Sequence, residues 1–377
     1  MKKTFREYHI LRALNAYDFH NAPLDVHLSK YFRENRAIGS KDRKEIGEAI
    51  YAMIRWLALI DHFCEEQRDW ESRYHAYRKL SIKKCLTNSS IPPHIRVSCP
   101  KILFTPLRSH FGEEKALELC QVNNTRAPTT IRVNVLKTNR QTLLSSWKDS
   151  FSATPTKHSV WGVQFEDRHN FSTFESFKQG HFEVQDEASQ LIANLVEAKP
   201  GDQVLDYCAG AGGKTLAFAH KLQGRGQIYL HDIRALPLTK AKRRLKRAGI
   251  ENAQILQSHS SNLENLKGKM DWILLDVPCS GSGTLRRNPD LKWKFTPELL
   301  KRLIAEQRKI FTEALPFLGP KGKIVYATCS ILPEENEEQC SHFQETYGFD
   351  LCGKPFRSLP TEGGMDGFYG VTLTRSS

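Results

Sequence analysis

The sequence predicts an α/β protein whose C-terminal half is a doubly wound, mostly parallel sheet, and three observations support this fold class. From residue 186 onward, short apolar runs alternate with helix-like stretches. One of these runs, residues 204–206, leads directly into a glycine-rich turn at 210–213. The first 122 residues, by contrast, show the three- and four-residue apolar spacing of helices. Strands that alternate with helices build a parallel sheet with helices on both faces.

Changes in the hydrophobic pattern along the 377 residues predict three consecutive domains. Residues 1–122 form a helical domain, 123–185 a small α/β domain with a strand at 131–135, and 186–377 the doubly wound domain. In the helical domain, apolar residues at positions 46, 49, 50, 53, 54, 57 and 60 predict one buried helix face over 46–60. Ser40 and Asp42 are candidate N-caps of that helix.

The elements of the third domain are predicted from the same patterns. Strands are expected at 204–206, 228–230, 254–256, 272–275, 324–327 and 367–374. Helices are expected at 188–197, 235–248, 297–318 and 333–347. Ligands of such sheets bind at the carboxyl ends of the strands, so functional residues are expected in the loops that directly follow them.

Charge and cysteine usage narrow the class of protein. The chain has 55 Lys and Arg against 42 Asp and Glu, a net charge of +13, which suits a polyanionic partner but also a soluble protein that happens to be basic. Nine scattered cysteines without a C-x-x-C pair argue against a disulfide framework and against a zinc site. The chain has no apolar run of about 18 residues and no apolar signal segment. We therefore expect a cytoplasmic monomer without a membrane partner and without a metal.

The glycine-rich turn predicts a cofactor crevice. Gly210, Gly212 and Gly213 follow a predicted strand, and Asp232 ends the next one. Such a turn brings backbone N–H groups close to a ligand, and the acid holds ribose hydroxyls. Nicotinamide, flavin and S-adenosylmethionine all fit this pattern, and so does a purely structural turn.

Two further strand-to-loop segments each present a cysteine. Cys279 lies in the loop 276–283 and Cys329 in the loop 327–330. Other cysteines, namely Cys64, Cys85, Cys120 and Cys352, are interpreted as small buried side chains. Two thiols that face one cofactor crevice indicate covalent chemistry, such as addition of a thiolate to carbon 6 of cytosine so that carbon 5 can accept a methyl group.

These segments resemble a known family. The stretches VQDEASQLIA, DYCAGAGGKT, DVPCSGSGTLRRNPDLKW, YATCSILPEENE and DGFYGVTL are similar to those of the RsmB/Sun family of RNA cytosine-5 methyltransferases, strongly over 181–377 and more weakly upstream. The resemblance implies a Rossmann-like methyltransferase domain, preceded by a small α/β RNA-binding subdomain and a helical N-terminal domain. It also implies S-adenosylmethionine as cofactor and RNA as substrate.

The resemblance assigns roles to individual residues. Cys329 corresponds to the nucleophile, Cys279 to the residue that promotes release of the methylated RNA, Asp276 to a contact with the cytosine edge, and Lys214 to a residue that orients the base. Cofactor-binding residues would be Cys208, Ala209, Gly210, Gly212, Lys214, Asp232, Ser260 and Asp276. One departure concerns the adenine end, where the family usually has an Asp and this sequence reads QSHSS at 257–261. A serine there lacks the charge-assisted hydrogen bond that a carboxylate provides.

The sequence gives weaker evidence for the RNA-binding surface and for the RNA substrate than for the active-site residues. Six basic residues between 240 and 247 are interpreted as a solvated helix face, and Arg286 and Arg287 as phosphate contacts. Ribosomal RNA is favoured over transfer RNA because the helical N-terminal region resembles that of bacterial family members. A non-catalytic RNA-binding assembly factor on the same fold remains an alternative. A nucleotide-dependent oxidoreductase would explain the glycine turn but not the two cysteine loops.

Overall fold

The computed structural model describes residues 3–64, 68–256 and 261–376. The N-terminal part is helical, as predicted. Its helices are α1 (Phe5–Asn15), α2 (Leu24–Glu34), α3 (Ser40–Arg55), α4 (Leu57–His62), α5 (Trp70–Lys79), α6 (Ile82–Leu86), α7 (Pro93–Arg96), α8 (Lys101–Phe111) and α9 (Glu113–Asn123). No helix in the described ranges is both long and apolar enough to cross a membrane.

The predicted helix over 46–60 is divided in the structure. Its apolar stripe is buried as expected, but the helix ends at Arg55 and α4 begins at Leu57. The chain turns at Trp56, and the amide of Ala58 donates to the hydroxyl of Ser98 at 3.1 Å. Both predicted N-caps were wrong, because Gly39 occupies the cap position and residues 40 and 42 lie inside the first turn.

An antiparallel sheet follows the helices, in the order β2-β3-β1-β4. Its elements are β1 (Thr129–Val133), α10 (Arg140–Trp147), β2 (Ala153–Pro155), β3 (Gly162–Phe165), α11 (Glu175–Lys178) and β4 (Phe182–Val184). An aromatic cluster including Trp147, Phe165 and Phe182 forms its core. The strand predicted at 131–135 ends earlier because Asn134 begins a turn in which its carbonyl accepts from the amides of residues 137 and 138.

The C-terminal part forms the predicted doubly wound sheet, in the order β10-β12-β9-β8-β5-β6-β7 with β11 paired to β12. Strands β5 to β9 pair in parallel, and β10 to β12 join the sheet in antiparallel pairs. The strands are β5 (Gln203–Asp206), β6 (Gln227–His231), β7 (Ala253–Leu256), β8 (Met270–Asp276), β9 (Leu318–Thr328), β10 (Phe349–Leu351), β11 (Phe356–Ser358) and β12 (Phe368–Arg375). The helices are α12 (Glu187–Asn194), α13 (Thr215–Phe218), α14 (Ala235–Ala248), α15 (Ser261–Glu264), α16 (Leu291–Lys294), α17 (Pro297–Ala314) and α18 (Glu337–Tyr347).

Three predicted helices of this part have different bounds in the structure, and the first, predicted at 188–197, covers Glu187–Asn194. The helix predicted at 297–318 ends at Ala314, since a 3₁₀ turn over Leu315–Phe317 leads into β9. The helix predicted at 333–347 divides into a 3₁₀ turn over Pro333–Glu335 and α18. The last two differences occur at a proline, which restricts the preceding residue and lacks an N–H donor.

The described chain groups into two compact units. The helical unit contains Met1–Arg126 and Ser280–Leu300, and the sheet unit contains Ala127–Cys279 and Lys301–Ser377. The segment that includes α16 thus belongs with the N-terminal helices, although it lies within the range predicted for the third domain. The division into three consecutive domains at 1–122, 123–185 and 186–377 stays a prediction.

Candidate active site

The carboxyl ends of β5, β6, β8 and β9 lie along one edge of the parallel sheet. Parallel register pairs Asp206 of β5 with Leu230 of β6, and Asp276 of β8 with Ala327 of β9. The sheet order reverses between β5 and β8, since the chain continues outward from β5 on one side and from β8 on the other. A crevice at such a switch point is where open α/β sheets bind ligands.

The glycine turn after β5 gives its two key glycines different roles. Gly210 has φ +52°, and a side chain at this position would meet nothing within 4 Å, so its backbone faces open space. Gly212 has φ +75°, and a Cβ there would lie 3.2 Å from the Cβ of Ala241 in α14. Gly210 therefore permits close approach of a ligand, whereas Gly212 permits close packing of α14.

Asp232 follows β6 and closes this turn. Its buried carboxylate accepts from the amide of Gly210 at 2.9 Å and from the Arg234 guanidinium at 3.0 and 3.1 Å. Burial alone would raise the pKa of Asp232, but the hydrogen bonds from Arg234 and Gly210 hold that pKa below its usual value. The carboxylate is therefore ionised and directed at the turn, where ribose hydroxyls can compete with the exposed Arg234 side chain.

Asp206, the last residue of β5, is a second buried acid beside the turn. Its Oδ2 accepts from the hydroxyl of Thr215 at 2.6 Å, but its buried Oδ1 has no hydrogen-bond partner among the described residues. Burial raises the pKa of Asp206 to about 7, and the hydroxyl bond from Thr215 opposes this shift. An orphaned acceptor at the end of a central strand marks a place where a ligand donor fits.

Lys214 and Asp276 form an ion pair between the loops after β5 and β8. The distance from Lys214 Nζ to Asp276 Oδ2 is 2.5 Å, with the lysine side chain 8% and the aspartate 34% exposed. The same ammonium lies 5.6 Å from the centre of the Phe368 ring. Asp276 is therefore the more accessible partner, while Lys214 is held from both sides.

The two predicted thiols meet in this crevice. Cys279 Sγ and Cys329 Sγ lie 3.3 Å apart, and both side chains are partly exposed. This separation exceeds the ~2.05 Å of a disulfide bond, so the two sulfurs are not bonded to each other but lie within hydrogen-bonding reach. Cys329 also packs against the apolar cluster that contains Ala327 and Phe368. The structure thus brings together the residues predicted from the two loops and from the glycine turn.

The other cysteines have different environments. Cys85 and Cys120 are buried as expected, but Cys64 is only half-buried and Cys352 is exposed, because it directly follows the edge strand β10. Burial and the nearby Asp206 raise the pKa of the Cys208 thiol well above its ordinary value. Cys208 therefore stays protonated and is suited to line a cofactor site rather than to act as a nucleophile.

For several basic residues, the structure shows an environment that differs from the predicted one. Arg286 was predicted to contact phosphate, but its side chain is fully buried, so that prediction was wrong. In α14, Arg244 and Arg247 are half-buried and pair with Glu183, whereas the other four basic residues of 240–247 are exposed. Ser260 lies outside the described residues.

Three residues of the site were missed by sequence reasoning. Phe368 lies against Lys214, Gln307 donates to the backbone oxygen of Pro278, and Asn336 binds the loop of Cys329. One signal was available for Gln307, since it lies on the buried stripe of α17 with Leu303, Phe311 and Ala314. A polar residue on an apolar stripe indicates a specific buried contact.

Comparison with known proteins gives a consistent set of matches. The family described as 16S rRNA methyltransferase RsmB/F matches residues 193–373, and an RsmF/B-like ferredoxin-like domain matches residues 99–172. Ribosomal RNA small subunit methyltransferase B of Proteus mirabilis is 32% identical over 73% of this chain and 65% of its own length. The protein of the same name from Photorhabdus laumondii is 30% identical over 79% of this chain and 70% of its own length.

A solved structure shares the fold. The crystal structure of PH0851 superposes with a TM-score of 0.79 at 20% identity, covering 97% of each chain. This chain therefore has the fold of that protein over nearly its whole length. It spans about two thirds of the length of the two relatives named above, 65% and 70% respectively.

Proposed function

This chain belongs to the RsmB/F family of 16S rRNA methyltransferases, and we propose that it methylates carbon 5 of a cytosine in RNA, using S-adenosylmethionine and a covalent cysteine–cytosine intermediate. The observation that carries this proposal is the 3.3 Å separation of the Cys279 and Cys329 sulfurs beside the Lys214–Asp276 pair. Two adjacent thiols at the ends of neighbouring strands suit a reaction in which one sulfur bonds to the base and the other assists its release.

Cys329 performs the addition step. As a thiolate it forms a bond to carbon 6 of the cytosine, and the electrons of the 5,6 double bond move to carbon 5, which becomes nucleophilic. A hydrogen bond from the Cys279 thiol, 3.3 Å away, stabilises the charged sulfur before attack. S-adenosylmethionine, when bound, supplies the electrophilic methyl group that carbon 5 accepts.

Cys279 performs the release step. Two thiolates at this separation would repel each other, so Cys279 stays neutral while Cys329 is charged. Once Cys329 is bonded to carbon 6 it is an uncharged thioether, and Cys279 can lose its proton to water. The Cys279 thiolate then takes the proton from carbon 5, and the electron pair of that C–H bond restores the double bond and expels Cys329 as a thiolate. The pair returns to its starting state.

Asp276 and Lys214 hold the base. The partly exposed carboxylate of Asp276 accepts a hydrogen bond from cytosine protonated at ring nitrogen 3, and protonation withdraws electrons from carbon 6, where the thiolate attacks. Lys214 fixes the orientation of that carboxylate through the 2.5 Å ion pair. The target base has to be unpaired or flipped out to reach these groups.

The residues around the glycine turn suit the cofactor. Gly210 leaves open space for close approach, and the ionised Asp232 can accept ribose hydroxyls. The orphaned Oδ1 of Asp206 provides a further acceptor for a donor group of the cofactor. Cys208 and Ala209 complete this wall of the crevice. Ser260, at the adenine end, remains a predicted contact.

Ribosomal RNA of the small subunit is the proposed substrate, with transfer RNA as the alternative. The names of the two relatives concern ribosomal RNA. A net charge of +13 favours a polyanionic substrate of either kind. Bisulfite sequencing of RNA from cells with and without this protein would identify the methylated cytosine.

Single-cysteine variants test the chemistry. With unmodified small-subunit rRNA and S-adenosylmethionine labelled in its methyl group, Cys329→Ala should lose methyl transfer, while Cys279→Ala should accumulate a covalent protein–RNA adduct on a denaturing gel. The double variant should form no adduct, and Cys352→Ala, which alters an exposed thiol, should behave as the wild type. Undiminished transfer by Cys329→Ala would overturn the proposal. Failure of the wild-type protein to bind S-adenosylmethionine in calorimetry would favour the non-catalytic alternative.

A further inference from the structure

Gln307 of α17 holds the loop that carries Cys279. Its side chain is fully buried, and Nε2 donates to the backbone oxygen of Pro278 at 3.0 Å and to Oε1 of Glu335 at 3.0 Å. The amide oxygen of Gln307 accepts from Nε2 of Gln339 at 2.7 Å. Because the oxygen and nitrogen of an amide point to different sides, the bond from Gln339 turns the nitrogen toward Pro278, the residue directly before Cys279.

Asn336 holds the loop that carries Cys329 in the same manner. Its Oδ1 accepts from the hydroxyl of Thr328 at 2.6 Å, and its Nδ2 donates to the backbone oxygen of Ser330 at 3.0 Å. Asn336 and Thr328 are fully buried, and Ser330 is 1% exposed. One side chain therefore binds the residues immediately before and after Cys329.

The two contacts belong to one buried network. Glu335, which accepts from Gln307, directly precedes Asn336 in the chain. The hydroxyl of Tyr326 lies 2.8 Å from the backbone oxygen of Glu335 and 3.2 Å from Oε1 of Gln307. A displacement of the segment 335–336 would therefore affect both cysteine loops.

We propose that Gln307 and Asn336 are positioning residues that set the places of the two sulfurs, Gln307 for Cys279 and Asn336 for Cys329. This inference rests on the proposed function, in which Cys329 adds to the base and Cys279 releases it. Loss of the Gln307 contact should therefore impair release, and loss of the Asn336 contact should impair addition.

Physical reasons favour a positioning role over a purely structural one. Polar side chains that are removed from water cost stability unless each is bonded, and apolar side chains of similar size would fill the same space without that cost. A fully bonded buried network restricts its members to one geometry. Reacting groups need positions within about 0.5 Å, and a misplacement of about 1 Å reduces rates by roughly a hundredfold.

Two RNA probes separate the steps. In small-subunit rRNA transcribed with 5-fluorocytidine, carbon 5 carries no proton, so addition can occur but release cannot. In the presence of S-adenosylmethionine, the rate at which this adduct forms reports addition and methyl transfer without the release step. With ordinary RNA, adduct persists only when release is slow.

The expected results differ between the variants. Gln307→Met should form adduct with the fluorinated RNA within about threefold of the wild-type rate, and should retain adduct with ordinary RNA at least tenfold more than the wild type does. Asn336→Leu should slow adduct formation with the fluorinated RNA at least tenfold and should retain no adduct with ordinary RNA. Gln190→Met is the matched control, since it removes buried hydrogen bonds to the backbone oxygens of residues 131 and 185 without touching either cysteine loop or its network. It should retain the wild-type balance between addition and release.

An RNA-independent measurement gives a second readout. The rate at which diamide oxidises Cys279 and Cys329 to a disulfide, followed by peptide mass spectrometry, depends on the distance between the sulfurs. That rate should change at least threefold in Gln307→Met and in Asn336→Leu, but not in Gln190→Met. Gln307→Asn, which shortens the amide, and Asn336→Asp, which keeps the acceptor for Thr328, repeat the test if the larger changes prevent folding.

The two possible failures are distinguishable. If the wild-type protein forms no adduct with fluorinated RNA, the proposed covalent function is overturned. If the wild type forms adduct but the Gln307, Asn336 and Gln190 variants change addition, release and oxidation alike, the positioning roles are overturned and the function stands.

Discussion

Each compact unit contains a buried lysine, and the two lysines have opposite kinds of partners. In the helical unit, Lys292 Nζ donates to the backbone oxygens of Arg55 and Ser98 and to Oδ1 of Asn124, at 2.6 to 2.8 Å. In the sheet unit, Lys214 Nζ pairs with the Asp276 carboxylate at 2.5 Å. These three acceptors of Lys292 are neutral oxygens, whereas the acceptor of Lys214 is a charged carboxylate.

The difference shows how partners distinguish a structural from a functional buried cation. Burial lowers the pKa of Lys292 to about 8, because neutral acceptors do not repay the loss of hydration. Such a lysine ties together three backbone or side-chain oxygens of its own unit. Lys214, by contrast, lies beside the crevice that contains the two thiols. Its partner, the Asp276 carboxylate, is 34% exposed and can therefore bind a ligand. We therefore expect loss of Lys214 to affect chemistry and loss of Lys292 to affect stability.

The largest expected effect is that of Lys214→Met. Without its ammonium, the Asp276 carboxylate loses the partner that orients it, and methyl transfer should fall by roughly 10²–10⁴-fold. The measurement is the single-turnover rate of methyl transfer to small-subunit rRNA. Lys221→Met, whose ammonium donates only to backbone oxygens of residues 194 and 196 among its described hydrogen bonds, is the control and should retain the wild-type rate. Equal losses of methyl-transfer rate in the two variants would contradict a specific role of Lys214 in the chemistry.

An intermediate effect is expected for Lys292→Met. Three buried oxygens would lose their donor, so the free energy of unfolding should decrease by about 3 kcal/mol, while the folded protein keeps its methyl-transfer rate. Urea unfolding followed by tryptophan fluorescence, to which Trp293 in the same helical unit contributes, measures the change. A variant that is as stable as the wild type but inactive would contradict the structural role.

The smallest effect concerns Asp206, a buried acid whose described partner is a hydroxyl. Its folded pKa is raised to about 7, so between pH 4 and 7 the folded state retains a proton that the unfolded state has lost. Stability from this group is present at low pH and should be lost at about 1 kcal/mol per pH unit as the pH rises through that range. Asp206→Asn should abolish this slope. Unfolding curves of both proteins at pH 5.5 and 6.5 give the comparison, and parallel changes in the two would contradict the prediction.

Much of the fold was predictable because its signals are local. Four of the five strands of the parallel sheet lie within a few residues of their predicted positions, since each is a short apolar run that ends at a turn; β9 was predicted at 324–327 but already begins at Leu318. The main errors occurred at 297–318 and 333–347, where a proline-associated 3₁₀ turn replaced part of a helix. The division of 46–60 at Trp56 is accompanied by a hydrogen bond to the side chain of residue 98, a contact that local patterns do not report.

The candidate site was predictable to the extent that strand ends determine it. Cys279, Cys329 and the glycine turn follow strands, so their meeting at one sheet edge follows from parallel pairing. Gln307 and Asn336 were not predicted, because their contacts depend on which side chains of α17 and of segment 335–336 face the loops. Arg286 shows the reverse error, since an arginine near a reactive loop need not be exposed.

The sequence by itself determined the sheet, the glycine turn and the two cysteines at strand ends, because hydrophobic periodicity and turn residues act over a few positions. Only the tertiary structure decided that the two sulfurs lie 3.3 Å apart, that Lys214 pairs with Asp276, and that a buried amide supports each loop. Those contacts join residues far apart in the chain. Their geometry depends on how the elements pack, and packing is not encoded in any local pattern.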